Sequence, residues 1–142
     1  MLARTAPWLA ALALALGAAA CGDAGSSGEE TSVKRTVNGL YDAFAAKDAA
    51  KVCDSLTEER QREIESRAGA GGGKGCERTL ELALGFVGGQ LKEIKDARVT
   101  DVTLDGDEAT ATVEYKGKKG DLGLTKQGGE WKISDFDLAN VR

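Results

Sequence analysis

Residues Val99–Phe136 read VTDVTLDGDEATATVEYKGKKGDLGLTKQGGEWKISDF. Ala109, Ala111, Val113 and Tyr115 alternate with Thr110, Thr112, Glu114 and Lys116. Successive side chains of a strand point to opposite faces, so this pattern predicts a strand with one buried and one wet face. Leu122 and Leu124 repeat it, as do Trp131 and Ile133, with Phe136 closing the last strand. Three turn signals separate the runs. Asp105-Gly106 marks a hairpin after Val99, Val102 and Leu104; Gly117–Gly120 and then Gly128-Gly129 turn the chain again. Asp105, Asp107 and Glu108 lack the rest of a calcium loop, so they read as part of the first turn. The whole stretch predicts a meander of antiparallel strands.

Upstream, the period is helical. Val33, Val37, Leu40, Tyr41 and Phe44 recur at spacings of three and four, after helix-start candidates Thr31 and Ser32. This stripe predicts an amphipathic helix ending near Lys47. Asp48 suits the cap of a short second helix carrying Val52, Cys53 and Leu56. Thr57 followed by Glu58 and Glu59 predicts a third start, with acids at the positive end of the dipole. That helix (EERQREIESR) has Ile64 as its only strong apolar anchor and is expected to be exposed and mobile. Cys76, Leu80, Ala83, Leu84 and Val87 restore helical spacing before Gly88-Gly89. Gln90–Asp96 fits either a helix extension or an edge strand. Helices followed by a meander predict an α+β domain, with N-terminal helices packed against a curved antiparallel sheet.

The first 31 residues read differently. Met1–Pro7 carries Arg4 and no acid, and Trp8–Ala20 (WLAALALALGAAA) is small and apolar. A basic start, a short apolar core and small residues before a cut site describe an export signal over residues 1–20. The run is shorter than the about 20 residues that span a bilayer. Cys21 at the cut resembles the lipoprotein signal, in which the thiol takes lipid and becomes the new N-terminus. That signal usually has leucine three places before the cysteine; here Ala18 stands there, and the nearest leucine is Leu16. Ala18–Ala20 also fits the A-x-A site of plain secretion. Gly22–Glu30 (GDAGSSGEE) has no large apolar side chain and is expected to be a flexible linker, with Cys21 to Thr31 spacing a 32–142 domain off the membrane.

Composition narrows the partners. About 120 residues remain after the leader, enough for one domain with its own core. The net charge of −4 becomes −5 once Arg4 leaves with the leader. Nucleic acid and anionic lipid need a basic footprint, and this balance disfavours both. Lys116, Lys118 and Lys119 cluster, as a solvated hairpin would. There is no histidine, which removes the commonest acid–base group and metal ligand; neither a metal nor a cofactor is expected. Gly69–Gly75 (GAGGGKG) contains Lys74, but Ala68 stands where a phosphate loop begins with glycine and Gly75 where it needs Ser or Thr.

The three cysteines are Cys21, Cys53 and Cys76. With lipid on Cys21, the other two remain as a pair in an oxidising compartment, where paired thiols are normally bridged. Their bridge would close the glycine-rich excursion, which otherwise costs much entropy to order.

The order of elements resembles the nuclear transport factor 2-like (cystatin-like) superfamily. The residues that carry the resemblance are Tyr41–Asp48 on the first helix, the hairpin Asp105–Thr110 and the strand Gly129–Ile133. It covers about Val33 to Leu138. Cys53 and Cys76 look like the paired cysteines of small exported bacterial members. The resemblance implies a sheet curled into a cone around the helices, with a pocket that members use for isomerisation, dehydration, cyclisation or binding alone. Tyr41, Phe44 and Trp131 are the residues expected to line it. Tyr41 lies on the apolar stripe, as a core tyrosine would, and Asp42 on the polar face.

Together these readings predict a domain held by lipid on Cys21 to the extracytoplasmic face of the cell membrane, binding or scaffolding without catalysis. Its partner would be a small molecule or an envelope protein. The rival is a small isomerase, dehydratase or cyclase using Tyr41 and carboxylates in the cone. A dimer or assembly partner pairing through the open sheet is the third, and needs a flat apolar sheet face.

Overall fold

The computed structural model describes residues 23–69, 74–87 and 89–136. The expected export signal and Cys21 lie outside the described residues, as does most of the glycine-rich excursion. The described chain is α+β. Four helices, α1 (Asp23–Ala46), α2 (Ala49–Asp54), α3 (Glu58–Arg67) and α4 (Cys76–Phe86), lead through a 3₁₀ segment (Gly89–Asp96) into strands β1 (Arg98–Asp105), β2 (Glu108–Tyr115), β3 (Lys118–Gln127) and β4 (Glu130–Phe136). The strands form an open antiparallel sheet in the order β1-β2-β3-β4. Among the described residues no helix is long and apolar enough to cross a membrane.

The meander folds as its alternation predicts. Ala109, Ala111, Val113, Leu122, Leu124, Trp131 and Ile133 are buried on one face. They meet Val33, Val37, Leu40 and Phe44 of α1 and Val52 of α2 in a single core. The other face is polar: Thr103 faces Thr110, and Thr112 donates to the Asp121 carboxylate at 2.8 Å. It is not the flat apolar surface that a sheet dimer needs. The turns are tight. Lys116-Gly117 and Gly128-Gly129 each place two residues at positive φ, the geometry that matches the twist of a two-residue hairpin. The second turn is therefore shorter than Gly117–Gly120, and β3 already begins at Lys118.

Two bulges explain apolar spacings that alternation alone does not. The pairing of β1 with β2 slips between Val99 and Asp101, so Val99 and Val102 both turn inward despite a spacing of three. The β3–β4 pairing slips opposite Gly123, between Ile133 and Asp135, which returns Phe136 to the inner side. A Cβ on Gly123 would stand 3.3 Å from both Asp135 Cβ and Ser134 Oγ. The close approach of the two strands at this bulge therefore favours glycine.

Helix ends follow local chemistry. The Asp48 carboxylate accepts from Lys51 N–H, and the Thr57 hydroxyl from Arg60 N–H. After α1 the chain reverses through Lys47 at φ 57°, with Asp48 N–H donating to the Ala43 carbonyl at 2.9 Å. The segment after α2 is fixed to the outer edge of β4: Ile133 N–H donates to Ser55 O at 2.7 Å, and Thr57 N–H to Ile133 O at 2.9 Å. Cys53 and Cys76 stand at disulfide distance, Cα to Cα 6.1 Å, joining α2 to the start of α4.

Four expectations need correction. Helix α1 begins at Asp23, not at Thr31 or Ser32, so the stretch assigned to a linker is helical from Asp23 onward. Its glycines and serines are poor helix formers, but tertiary contacts from Glu29 and the buried stripe below it override that propensity. Helix α3 is exposed but tethered, because Gln61 donates to the Cys53 and Leu56 carbonyls and the Glu65 carboxylate accepts from Cys76 N–H. On α4 Ala83 faces solvent and Phe86 is 89% exposed, and Val87 at its C-cap is exposed in part; Cys76 and Leu84 carry the buried side. Gln90–Asp96 is neither an α-helical extension nor a strand but part of the 3₁₀ segment, with Leu91 and Ile94 packed against the core.

Candidate ligand groove

The candidate pocket residues divide between two concavities at opposite ends of α1. Tyr41 and Phe44, near its C-terminus, line an apolar cavity together with Leu40, Ile94, Ala97, Val113 and Phe136. The cavity measures about 40 Å³. Ligand pockets typically run from about 300 to 1,000 Å³, so this one has room for a few solvent-sized groups at most. Phe136 forms part of its wall. Its ring meets Phe44 edge-on at 6.4 Å between centroids. The Arg60 guanidinium lies 4.9 Å from the same ring centroid and donates to Phe136 O at 3.1 Å. Sequence reasoning missed this wall residue, because only the bulge in β4 turns Phe136 inward.

Tyr115, Lys118, Lys119 and Asp121 also line this cavity, and the Tyr115 hydroxyl donates to Glu93 Oε2 at 3.5 Å. Burial pushes the Tyr41 hydroxyl above its ordinary pKa, away from proton transfer at neutral pH. Asp121 is at the rim, where its carboxylate accepts from Thr112 on the wet face of the sheet. Asp42, on the polar face of α1, is exposed.

Trp131 is not in this cavity. Alternation assigns it correctly to the inner face, but a strand period says nothing of position along the strand. Trp131 lies at the beginning of β4, against the N-terminal half of α1, where it borders a second, polar groove. This groove has a volume of about 530 Å³, within the range of small-molecule sites. Its walls come from α1 (Glu29, Ser32, Arg35, Thr36), the end of α2 (Lys51, Asp54, Ser55) and the β3–β4 hairpin (Lys126, Glu130, Lys132).

The floor is held by a network. The Trp131 indole N–H donates to Glu29 Oε2 at 2.6 Å, and Lys126 Nζ to Glu29 Oε1 at 2.5 Å. Lys126 also lies over the indole, 5.5 Å from the ring centroid. The bonds from Lys126 and then Trp131 hold the Glu29 carboxyl below its ordinary pKa. Thr36 donates its hydroxyl to Trp131 O at 3.3 Å. Across the groove, Lys132 donates to Asp54 O at 2.7 Å and pairs with Glu130 at 3.1 Å. Helix, hairpin and the end of α2 are thereby set at fixed spacing, as a preformed site requires.

Glu29, Arg35 and Asp54 were not legible as site residues. Glu29 falls in a stretch that reads as linker, and isolated charges on polar helix faces carry no signal of convergence. No protein-family profile, curated relative or solved structure matches the chain.

Proposed function

We propose that this protein is a lipid-anchored extracytoplasmic binding domain, related in its fold to the nuclear transport factor 2-like superfamily, and that the polar groove is its ligand site. The single observation that carries the reading is the groove itself: about 530 Å³, lined by hydroxyls and charges from three elements cross-braced through Glu29, Trp131 and Lys132. The apolar cavity that a cone enzyme would use is only about 40 Å³, and burial holds its Tyr41 hydroxyl above the ordinary pKa. Binding without catalysis is therefore the better-supported reading than the isomerase or dehydratase type. Helix α1 also starts two residues after Cys21, so lipid there would hold the groove close to the bilayer surface.

Two measurements test this. Cys21→Ser should release the protein from the membrane fraction or leave the leader uncut; a processed variant that stays membrane-bound overturns the anchor. Gly39 lines the groove, and a Cβ added there meets no atom within 4 Å, so Gly39→Trp obstructs the groove without a clash at Cβ. Native mass spectrometry of the protein exposed to envelope extract should show a small molecule retained by the parent and lost in Gly39→Trp. Equal retention by both overturns the groove as the site.

A further inference from the structure

We infer that the groove takes a zwitterion, a ligand of amino-acid or short-peptide size that carries an ammonium and an anionic group together. This rests on the groove being the binding site. Most of the groove's charges are already compensated: Lys126 by Glu29, Lys132 by Glu130, and Lys51 by the cap residue Asp48. Two of the charged side chains lining it are not. Arg35 and Asp54 are exposed and have no ion-pair partner among the described residues. They are of opposite sign and stand on different walls, Arg35 on α1 and Asp54 at the end of α2.

A purely anionic ligand would satisfy Arg35 but meet Asp54 with like charge. A purely cationic one would do the reverse. A zwitterion satisfies both. The guanidinium offers a planar fork of donors suited to a carboxylate or phosphate. The Asp54 carboxylate accepts from an ammonium, and the hydroxyls of Ser32 and Ser55 line the space between the two walls. Amino acids, dipeptides and the phosphoethanolamine headgroup share this chemistry.

The test is calorimetric titration of the folded protein with three probes of one size: alanyl-alanine, its N-acetyl derivative and its C-terminal amide. Phosphoethanolamine is a fourth probe that separates a headgroup source from a peptide one. The expected result is that a zwitterionic probe binds about tenfold or more tightly than either singly charged form, with Arg35→Gln and Asp54→Asn each removing about tenfold. Equal binding of the acetylated dipeptide, or no effect of Asp54→Asn, overturns the inference and leaves the groove reading standing. Zwitterion binding that Gly39→Trp does not weaken overturns both. No binding of any of the four probes overturns the inference, while retention of another molecule by the parent but not by Gly39→Trp keeps the groove.

Discussion

The Trp131 indole donates to the Glu29 carboxylate at 2.6 Å, joining residues 102 positions apart in the chain. One end of the bond lies in a stretch without large apolar residues, and the other in the last strand. It fixes the N-terminal half of α1 to the β3–β4 hairpin and so sets the width of the groove. Glu29→Ala should leave the indole N–H and Lys126 without their shared acceptor. The expected outcome is a lower melting temperature and a shift in Trp131 fluorescence. Glu30→Ala removes only a half-buried pair with Lys34 on the same helix, which bridges no second element, and should cost less. Equal effects of the two substitutions in thermal unfolding would refute the bracing role.

Acid should destabilise the fold in a defined window. Glu29, Glu59, Glu63 and Glu93 all sit below the ordinary carboxylate value of 4.5, held there by bonds from Lys126, the Glu59 backbone N–H, Arg67 and Lys116 respectively. A depressed folded-state pKa means that the unfolded chain binds more protons near that pH. The resulting stability is fully present above about 4.5 and is lost as pH falls through the lower folded values. Lys116 is raised above 10.5 by Glu93, so its contribution is present below that value and fades as pH rises beyond it. Melting temperature against pH should be flat from about 6 to 9 and fall below about 4.5, with a shallower acid limb in Glu29→Gln.

Reduction of the Cys53–Cys76 pair should weaken the fold without changing its groove. The bridge closes a loop with a sequence separation of 23, for which loop-closure entropy gives about 3 kcal/mol. For a domain of this size that corresponds to a fall in melting temperature on the order of 10 °C. Calorimetry with and without reductant measures it. A change of a degree or less would mean that the helices hold the excursion without the bridge.

Lys47 is the residue through which the chain leaves α1, at φ 57°. Side chains other than glycine are strained there by about 1–2 kcal/mol. Lys47 is exposed and makes no side-chain bond that the substitution would remove among the described residues. Lys47→Gly should therefore stabilise the protein by about 1 kcal/mol, read as a rise in the urea midpoint at unchanged slope. A lower midpoint would show that unfolded-state entropy outweighs the relief of strain.

Local pattern carried the order of most elements and the inner face of the sheet. Alternation at Ala109–Val113 and Leu122–Leu124, glycine pairs at the turns, and the α1 stripe each depend on neighbours within a few residues. That is why the α+β order, the caps at Asp48 and Thr57 and the inner face of the sheet were legible. Cys53 and Cys76 were paired by elimination, and their Cα atoms stand 6.1 Å apart. The tertiary structure alone decided where α1 begins, where Trp131 lies along α1, and which side chains converge. Glycine and serine at residues 25–28 argue locally against helix, and only contacts from Glu29 to a hairpin about one hundred residues away reverse that balance. Phe136 turns inward because a bulge beside Gly123 shifts the register by one residue, a slip that no periodicity encodes. Arg35 and Asp54 share a groove because α1, α2 and β4 meet there. Period fixes the direction of a side chain relative to its own element, whereas a site depends on distances between elements, which packing sets.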